Sequence, residues 1–360
     1  MKIERSTLTM RRPDNWHFHL RQAEMLKKMI PFANQFGRVV VMPNTDPPID
    51  DDRSLICYRD EIMRFEPKFE PVMSVLLTKR MTPAMLRGAN EAGAVLLKVL
   101  SGGTTNSELA VGLEEIENYY HVLAEAKALD MPVSIHAERS RDKKTLNLIP
   151  EIDREFMALP DLEKIMNRFP GLRIVFEHMS DHRSVNFFLD AKHPKLATTV
   201  TIHHLYKTLH DTRKSSGEIK DPHLICKPCL KLLIDLYALR SLTLSGLPNV
   251  FLGSDTAAHP LRHKLGVEPK AGIFISHPIE LSAQFFETFY RLDLFEPFTS
   301  ENGARFYSYP LNQKIITLEK SGQVIPAFYG ESRSHPDALI PFMAGEVIDW
   351  TIINDNDQLQ

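Results

Sequence analysis

Two histidines stand two residues apart in the run Asp14-Asn15-Trp16-His17-Phe18-His19-Leu20-Arg21. On an extended strand, residues i and i+2 point the same way, roughly 6–7 Å apart. His17 and His19 could therefore grip one metal ion with Phe18 turned into the wall, although a chain with 15 histidines also contains such pairs by chance. Lys98 lies inside the apolar run Ala94-Val95-Leu96-Leu97-Lys98-Val99-Leu100. A buried ammonium is costly unless it is paired, and a lysine at a strand end can instead snorkel to water. The chemical alternative is that burial and neighbouring cations depress its pKa. A neutral amine adds carbon dioxide, and the resulting carbamate could bridge two metals. His136 closes the strand-like run Pro132-Val133-Ser134-Ile135-His136, and His178 closes Arg173-Ile174-Val175-Phe176-Glu177-His178. Asp255 follows Val250-Phe251-Leu252-Gly253-Ser254. Singly, such residues are core or rim histidines and a helix N-cap. Together, four imidazoles, a carbamate and a carboxylate suffice for two zinc ions.

The elements that must position these residues are short apolar runs rich in Val, Ile and Leu. In order they are Asn15–Leu20, Gly37–Met42, Val72–Leu77, Ala94–Leu100, Pro132–His136, Leu172–Glu177, Leu196–Ile202 and Val250–Gly253. Several are continuous rather than alternating, as parallel strands covered on both faces are. Amphipathic stretches lie between them: Glu108–Leu129, Asp161–Phe169 and Pro228–Leu242 carry apolar residues at helical spacing. Eight strand–helix units with no change of composition predict an α/β fold, a closed (β/α)8 TIM barrel of the metal-dependent hydrolase type. The candidate ligands then fall at the C-terminal ends of strands one, four, five, six and eight, the face where such barrels place their active sites. Residues 1–350 read as one barrel domain and 351–360 as a polar, frayed C-terminal tail.

The 360 residues carry a formal net charge of −3, with 43% hydrophobic and 25% charged residues. That is an ordinary globular composition. It offers no global basic field for nucleic acid or an anionic membrane. Three cysteines, Cys57, Cys226 and Cys229, do not make a disulfide framework. Met1 to Arg12 has no signal-like apolar stretch, and no run reaches the roughly 18 apolar residues of a membrane span. A cytoplasmic location is expected, with no nucleic acid and no membrane as partner.

The combination resembles the binuclear branch of the amidohydrolase superfamily, and the wider strings resemble the bacterial-type, stand-alone dihydroorotases. The resembling segments are Asp14–Arg21, Val41-Met42-Pro43-Asn44, Leu97-Lys98-Val99, Thr104-Thr105-Asn106-Ser107, Met131–His136, Val175–His178 and Phe251–Asp255. Their order and spacing match through about Leu311. The resemblance implies that His17, His19 and Asp255 hold one zinc, that His136 and His178 hold the other, and that N6-carboxylated Lys98 bridges the two. It implies that Arg21, Asn44 and His259 bind the substrate carboxylate. Backbone groups near Lys227 and Ala271 would contact the pyrimidine ring, and Thr104 and Thr105 would ride on a closing loop. The implied reaction is the reversible cyclisation of N-carbamoyl-L-aspartate to L-dihydroorotate and water, in pyrimidine biosynthesis. Its nucleophile is a hydroxide held between the zinc ions, with Asp255 as general acid and base. A homodimer is also implied. Departures are a short loop Leu100-Ser101-Gly102-Gly103, Lys227 in a place where an apolar residue is usual, and Pro260-Leu261-Arg262-His263 after His259.

Three other readings compete. A hydantoinase or allantoinase would share the ligands, but Arg21 and Asn44 favour an acidic ring. A non-catalytic barrel kept as an assembly partner would not need every ligand intact. Cys226-Lys227-Pro228-Cys229, with His223 nearby, offers too few ligands for a zinc ribbon. His203 and His204, at the end of strand seven, read as residues of the pocket wall.

Overall fold

Backbone pairing assembles the eight apolar runs into one parallel sheet. The structure, a computed structural model, describes residues 6–100, 109–191 and 193–356. Its barrel strands are Asn15–Phe18, Arg38–Val41, Glu70–Leu76, Leu96–Val99, Val133–Ile135, Ile174–Phe176, Leu196–Val200 and Val250–Leu252, hydrogen-bonded in that order. They are the core of the expected runs, with most ends a residue or two shorter. The cylinder closes where the segment after strand eight meets strand one. Asp255 N donates to His17 O at 3.0 Å, and His19 N donates to Thr256 O at 3.2 Å. Asn15 reinforces this seam by donating its side-chain amide to Ser254 Oγ at 2.7 Å.

Strand one is not a plain alternating strand. Asn15 pairs with Val39 and Phe18 with Val41, so three steps on one strand match two on the other. Such a bulge re-aims side chains. Trp16 enters the inner cluster with Val40, Val72, Leu96, Val175 and Phe251, whereas Phe18 packs in the outer layer with Leu20, Leu26 and Met29. His17 and His19 are left to face the upper rim. The floor is sealed by Tyr307, stacked on Trp16 with ring centroids 4.6 Å apart. Gly303 lies so close to the Trp16 indole that a Cβ there would overlap it.

Helices cover the outside. Arg154–Arg168 covers all but the last residue of the expected 161–169 helix and begins earlier, while Leu233–Thr243 begins later than the expected 228. Residues before 233 are otherwise engaged: Leu209 N donates to Lys231 O at 2.7 Å, and Asp235 caps the helix by accepting from Leu232 N at 2.9 Å. The expected helix over 108–129 exists only as Ile116–Tyr119 and Tyr120–Ala128. Its N-terminal part spends its backbone groups elsewhere: Lys79 N donates to Leu109 O at 2.9 Å and Val111 N to Leu77 O at 3.1 Å.

The chain ends also depart from expectation. Thr351–Asn356, expected within a frayed tail, is a strand. It pairs antiparallel with Ile315–Glu319, which pairs in turn with Thr7–Arg11. This three-stranded sheet lies outside the barrel and was not foreseen. No described helix is long and apolar enough to cross a membrane.

Candidate metal centre

Each candidate ligand emerges from the end of its strand into one cavity of about 590 Å³. His17, His19, Lys98, His136, His178 and Asp255 all line it. The ligand atoms of His17, His19 and Asp255 lie within 4.8 Å of one another. Asp255 Oδ1 is 3.0 Å from His19 Nε2 and 3.3 Å from His17 Nε2. Across the cavity, His136 Nδ1 and His178 Nε2 face each other at 3.0 Å. The trio and the pair are contiguous, since the His17 and His178 rings are 5.1 Å apart.

Carboxylates fix which nitrogen of two of these rings faces inward. Glu177 accepts from His17 Nδ1 at 2.7 Å, leaving Nε2 toward Asp255. Glu138 accepts from His136 Nε2 at 2.7 Å, leaving Nδ1 toward His178. Metal-binding imidazoles are ordinarily held in this way. Glu177 is itself enclosed by the Ser134 hydroxyl and by Thr199 Oγ1, the latter at 2.5 Å. Burial pushes its carboxyl up, but His17, Lys98 and the hydrogen bonds from His17 and Ser134 outweigh that and hold it at about 2. Sequence reading missed Glu138, Glu177, Ser134 and Thr199. Glu177, a carboxylate at the end of an apolar run, was the one available signal.

Lys98 is 1% exposed. Its Nζ reaches Ser134 Oγ at 3.4 Å. Burial lowers its pKa, partly offset by Glu177 and Asp255. Burial likewise raises the Asp255 carboxyl, opposed by His17 and Lys98. His178 is driven well below its ordinary value by burial and then by His136, and its Nδ1 has no hydrogen-bond partner. Neutral imidazole nitrogens converging on a carboxylate and a desolvated amine suit a bound cation better than they suit each other. Divalent metal therefore fits the residues present.

Backbone strain gathers here. Arg21, His178 and Asp255 have φ of 64°, 38° and 48°. Left-handed backbone at a residue other than glycine costs roughly 1–2 kcal/mol and persists where surroundings enforce it. Gly253 permits the close approach of strands eight, seven and one, because a Cβ there would stand 2.7 Å from Thr199 Cβ and 2.9 Å from His17 Cβ.

The other predicted site residues surround the same space. Arg21, Asn44, Lys227 and Ala271 line the cavity. Arg21 Nε donates to Ala258 O at 3.2 Å. His259 Nε2 is 2.9 Å from Ala271 O and 3.0 Å from Arg21 Nη2. Burial, then Arg21, holds His259 down to about 2, so its ring is neutral. His259 Nε2 donates to Ala271 O in one tautomer and accepts from Arg21 Nη2 in the other. Asn44 Oδ1 is buried without a partner. Thr104 and Thr105 lie outside the described residues.

Lys264 was also missed. Its ammonium is 3% exposed and donates to Gly272 O at 2.9 Å, Lys270 O at 2.9 Å and Ile225 O at 3.3 Å. It ties together the two loops that carry Lys227 and Ala271.

A profile described as amidohydrolase matches residues 27–221. A dihydroorotase of Synechococcus sp. (strain RCC307) is 36% identical over 353 residues, covering 96% of this chain and 97% of that protein. The chain belongs to the dihydroorotase family of amidohydrolases. A crystal structure of dihydroorotase from Saccharomyces cerevisiae in complex with 5-fluoroorotic acid superposes with a TM-score of 0.90 at 28% identity, covering 98% of this chain and all of that one. L-hydantoinase from Arthrobacter aurescens shares the fold, with a TM-score of 0.76 at 15% identity over 98% of this chain and 87% of its own. As a family member the chain is a cyclic amidohydrolase that acts on a small molecule, and the family implies a metal, for which His17, His19 and Asp255 are one candidate group.

Proposed function

We propose that this chain interconverts N-carbamoyl-L-aspartate and L-dihydroorotate, a step of pyrimidine biosynthesis in the cytoplasm, as a homodimer whose barrel domain holds two zinc ions per subunit. The observation that carries this reading is the pairing, in one cavity, of the six-residue donor set with the desolvated guanidinium of Arg21. A hydantoinase-type substrate has no carboxylate to use that arginine.

His17, His19 and Asp255 would hold one zinc, His136 and His178 the other, and Lys98, carboxylated on Nζ, would bridge them. Zinc there supplies Lewis acidity toward the amide carbonyl and a water ionised near neutral pH. Lys98 reaches the carbamate by attack of its neutral amine on carbon dioxide with loss of one proton, a step that its lowered pKa favours. In ring opening, Asp255 takes the proton of the attacking water at Oδ and delivers it to the leaving ring nitrogen. Ring closure runs the same transfers backwards. Arg21, Asn44 and His259 bind the substrate carboxylate, while backbone groups at Lys227 and Ala271 meet the ring. Thr104 and Thr105 are assigned to the loop that closes over it.

A substrate panel tests this. Dihydroorotate and carbamoyl aspartate are expected to turn over at least a hundredfold faster, as kcat/KM, than hydantoin or allantoin (about 3 kcal/mol of discrimination). Comparable rates on the neutral rings would overturn the acidic-substrate reading. A carbamate at Lys98 and two zinc ions per chain are expected in a density map and by elemental analysis.

A further inference from the structure

We propose that His203, His204 and Cys226 form a third metal site, distinct from the binuclear set, which takes one borderline ion such as zinc. Their ligand atoms lie within 4.8 Å of one another, the same span that encloses His17, His19 and Asp255. The three come from two parts of the chain. His203 and His204 sit in the short helix Ile202–Tyr206 after barrel strand seven, and Cys226 sits on the loop that begins the wall around Lys227.

Unsatisfied nitrogen is the second observation. His203 is fully buried, yet neither Nδ1 nor Nε2 has a hydrogen-bond partner. His204 is 4% exposed, and its Nε2 makes no well-formed hydrogen bond, with the backbone of Cys229 and Pro228 beside the ring. Buried polar atoms are normally paired, so three orphans on adjacent imidazoles call for a partner that the protein does not itself supply. The His204 ring is already oriented for one. Its Nδ1 is 2.7 Å from Thr201 Oγ1. With Nδ1 donating to that hydroxyl, the Nε2 lone pair is free, as in imidazoles prepared for a metal.

The donor chemistry narrows the ion. Two imidazoles and a sulfur suit zinc, cobalt or copper and not magnesium or calcium, whose ligands are oxygens. Cys226 Sγ now donates to Pro228 O at 3.1 Å, and burial pushes its thiol up. Coordination forms the sulfur–metal bond as the S–H proton leaves to solvent, one proton per ion bound. Cys226 lines the 590 Å³ cavity, which gives both ion and proton a route. Three protein ligands leave a fourth position for water. Cys229, two residues beyond Lys227, is outside this group, so the two cysteines do not act as a pair.

The test uses enzyme loaded with two zinc equivalents per chain, in a Cys57→Ser/Cys229→Ser background so that Cys226 is its sole thiol. Titration with Co²⁺ is followed by thiolate-to-cobalt charge-transfer absorption, proton release and metal content. One saturable equivalent with a thiolate band and about one proton released is expected. Adding Cys226→Ser should remove the band and that equivalent. His203→Gln, which keeps the thiol, should weaken cobalt binding at least tenfold while circular dichroism stays unchanged. Absence of a thiolate band in the background protein, equal metal content with and without Cys226, or a band indifferent to His203→Gln would each overturn the proposal.

Discussion

Asp255, the proposed proton carrier, sits between two imidazoles on a left-handed backbone at the barrel seam. Asp255→Asn keeps the shape of the side chain but removes its basicity. Turnover is expected to fall by roughly 10²–10⁴, with Tm changed little, and steady-state kinetics beside a thermal melt check both. Near-normal turnover would exclude Asp255 as the base. Arg21→Met tests a different role. Losing a charged partner of the substrate carboxylate costs about 2–3 kcal/mol of binding. KM should therefore rise by one to two orders of magnitude with kcat changed far less; a flat KM would remove Arg21 from the carboxylate pocket.

Among the elements, the loops after strands seven and eight depend on one buried cation. Lys264 spans them through three carbonyl contacts at the price of desolvation, which lowers its pKa to about 8. Lys264→Met fills the same volume without the donors, so both loops lose their common tie. KM is expected to rise about tenfold, equivalent to about 1.4 kcal/mol, more than kcat falls. Arginine at this position should restore part of it. A parallel tie fixes the loop after His178: Glu155 accepts from Ser180 N and Asp181 N at 3.1 Å, and Lys231 pairs with Glu155 at 3.5 Å and with Asp181 at 3.2 Å. Burial alone would lower the Lys231 ammonium, but the two carboxylates more than reverse it.

For the whole molecule, one buried acid sets a pH dependence of stability far from the metal centre. Glu280, in helix Pro278–Thr288, is 6% exposed, and burial raises its carboxyl from 4.5 to about 7. Gln323 Nε2 lies 3.4 Å from one oxygen, and the other oxygen has no partner. Below pH 4.5 both folded and unfolded chains hold this proton and the group costs nothing. As pH rises toward 7 the unfolded chain ionises first, so folded stability falls, and above 7 the loss is constant. Its size is on the order of 3 kcal/mol. Glu280→Gln should abolish that component, so the Tm difference between pH 5 and pH 8 shrinks relative to the parent protein. An unchanged difference would mean that the carboxyl is ionised in the folded state.

The amino-acid sequence by itself determined the eight strands and the positions of the six candidate ligands. Apolar runs between helical segments have few alternatives to a parallel barrel, and polar residues ending such runs must gather at one rim. It did not determine the orientation of those ligands. Glu177 holds His17 because the ends of strands one and six meet across the barrel, a relation carried by no local spacing, whereas Glu138 reaches His136 from only two residues away. The bulge between Asn15 and Phe18 replaced simple alternation for the same reason, since its register is set by the neighbouring strand. Local signals misled where tertiary hydrogen bonds outbid helix propensity, as at Leu109 and Val111, and where a polar tail found a strand to pair with, as at Thr351–Asn356. Only the folded chain brings His203 and His204 to Cys226, because contact between residues about 20 positions apart depends on how two loops pack over the barrel mouth.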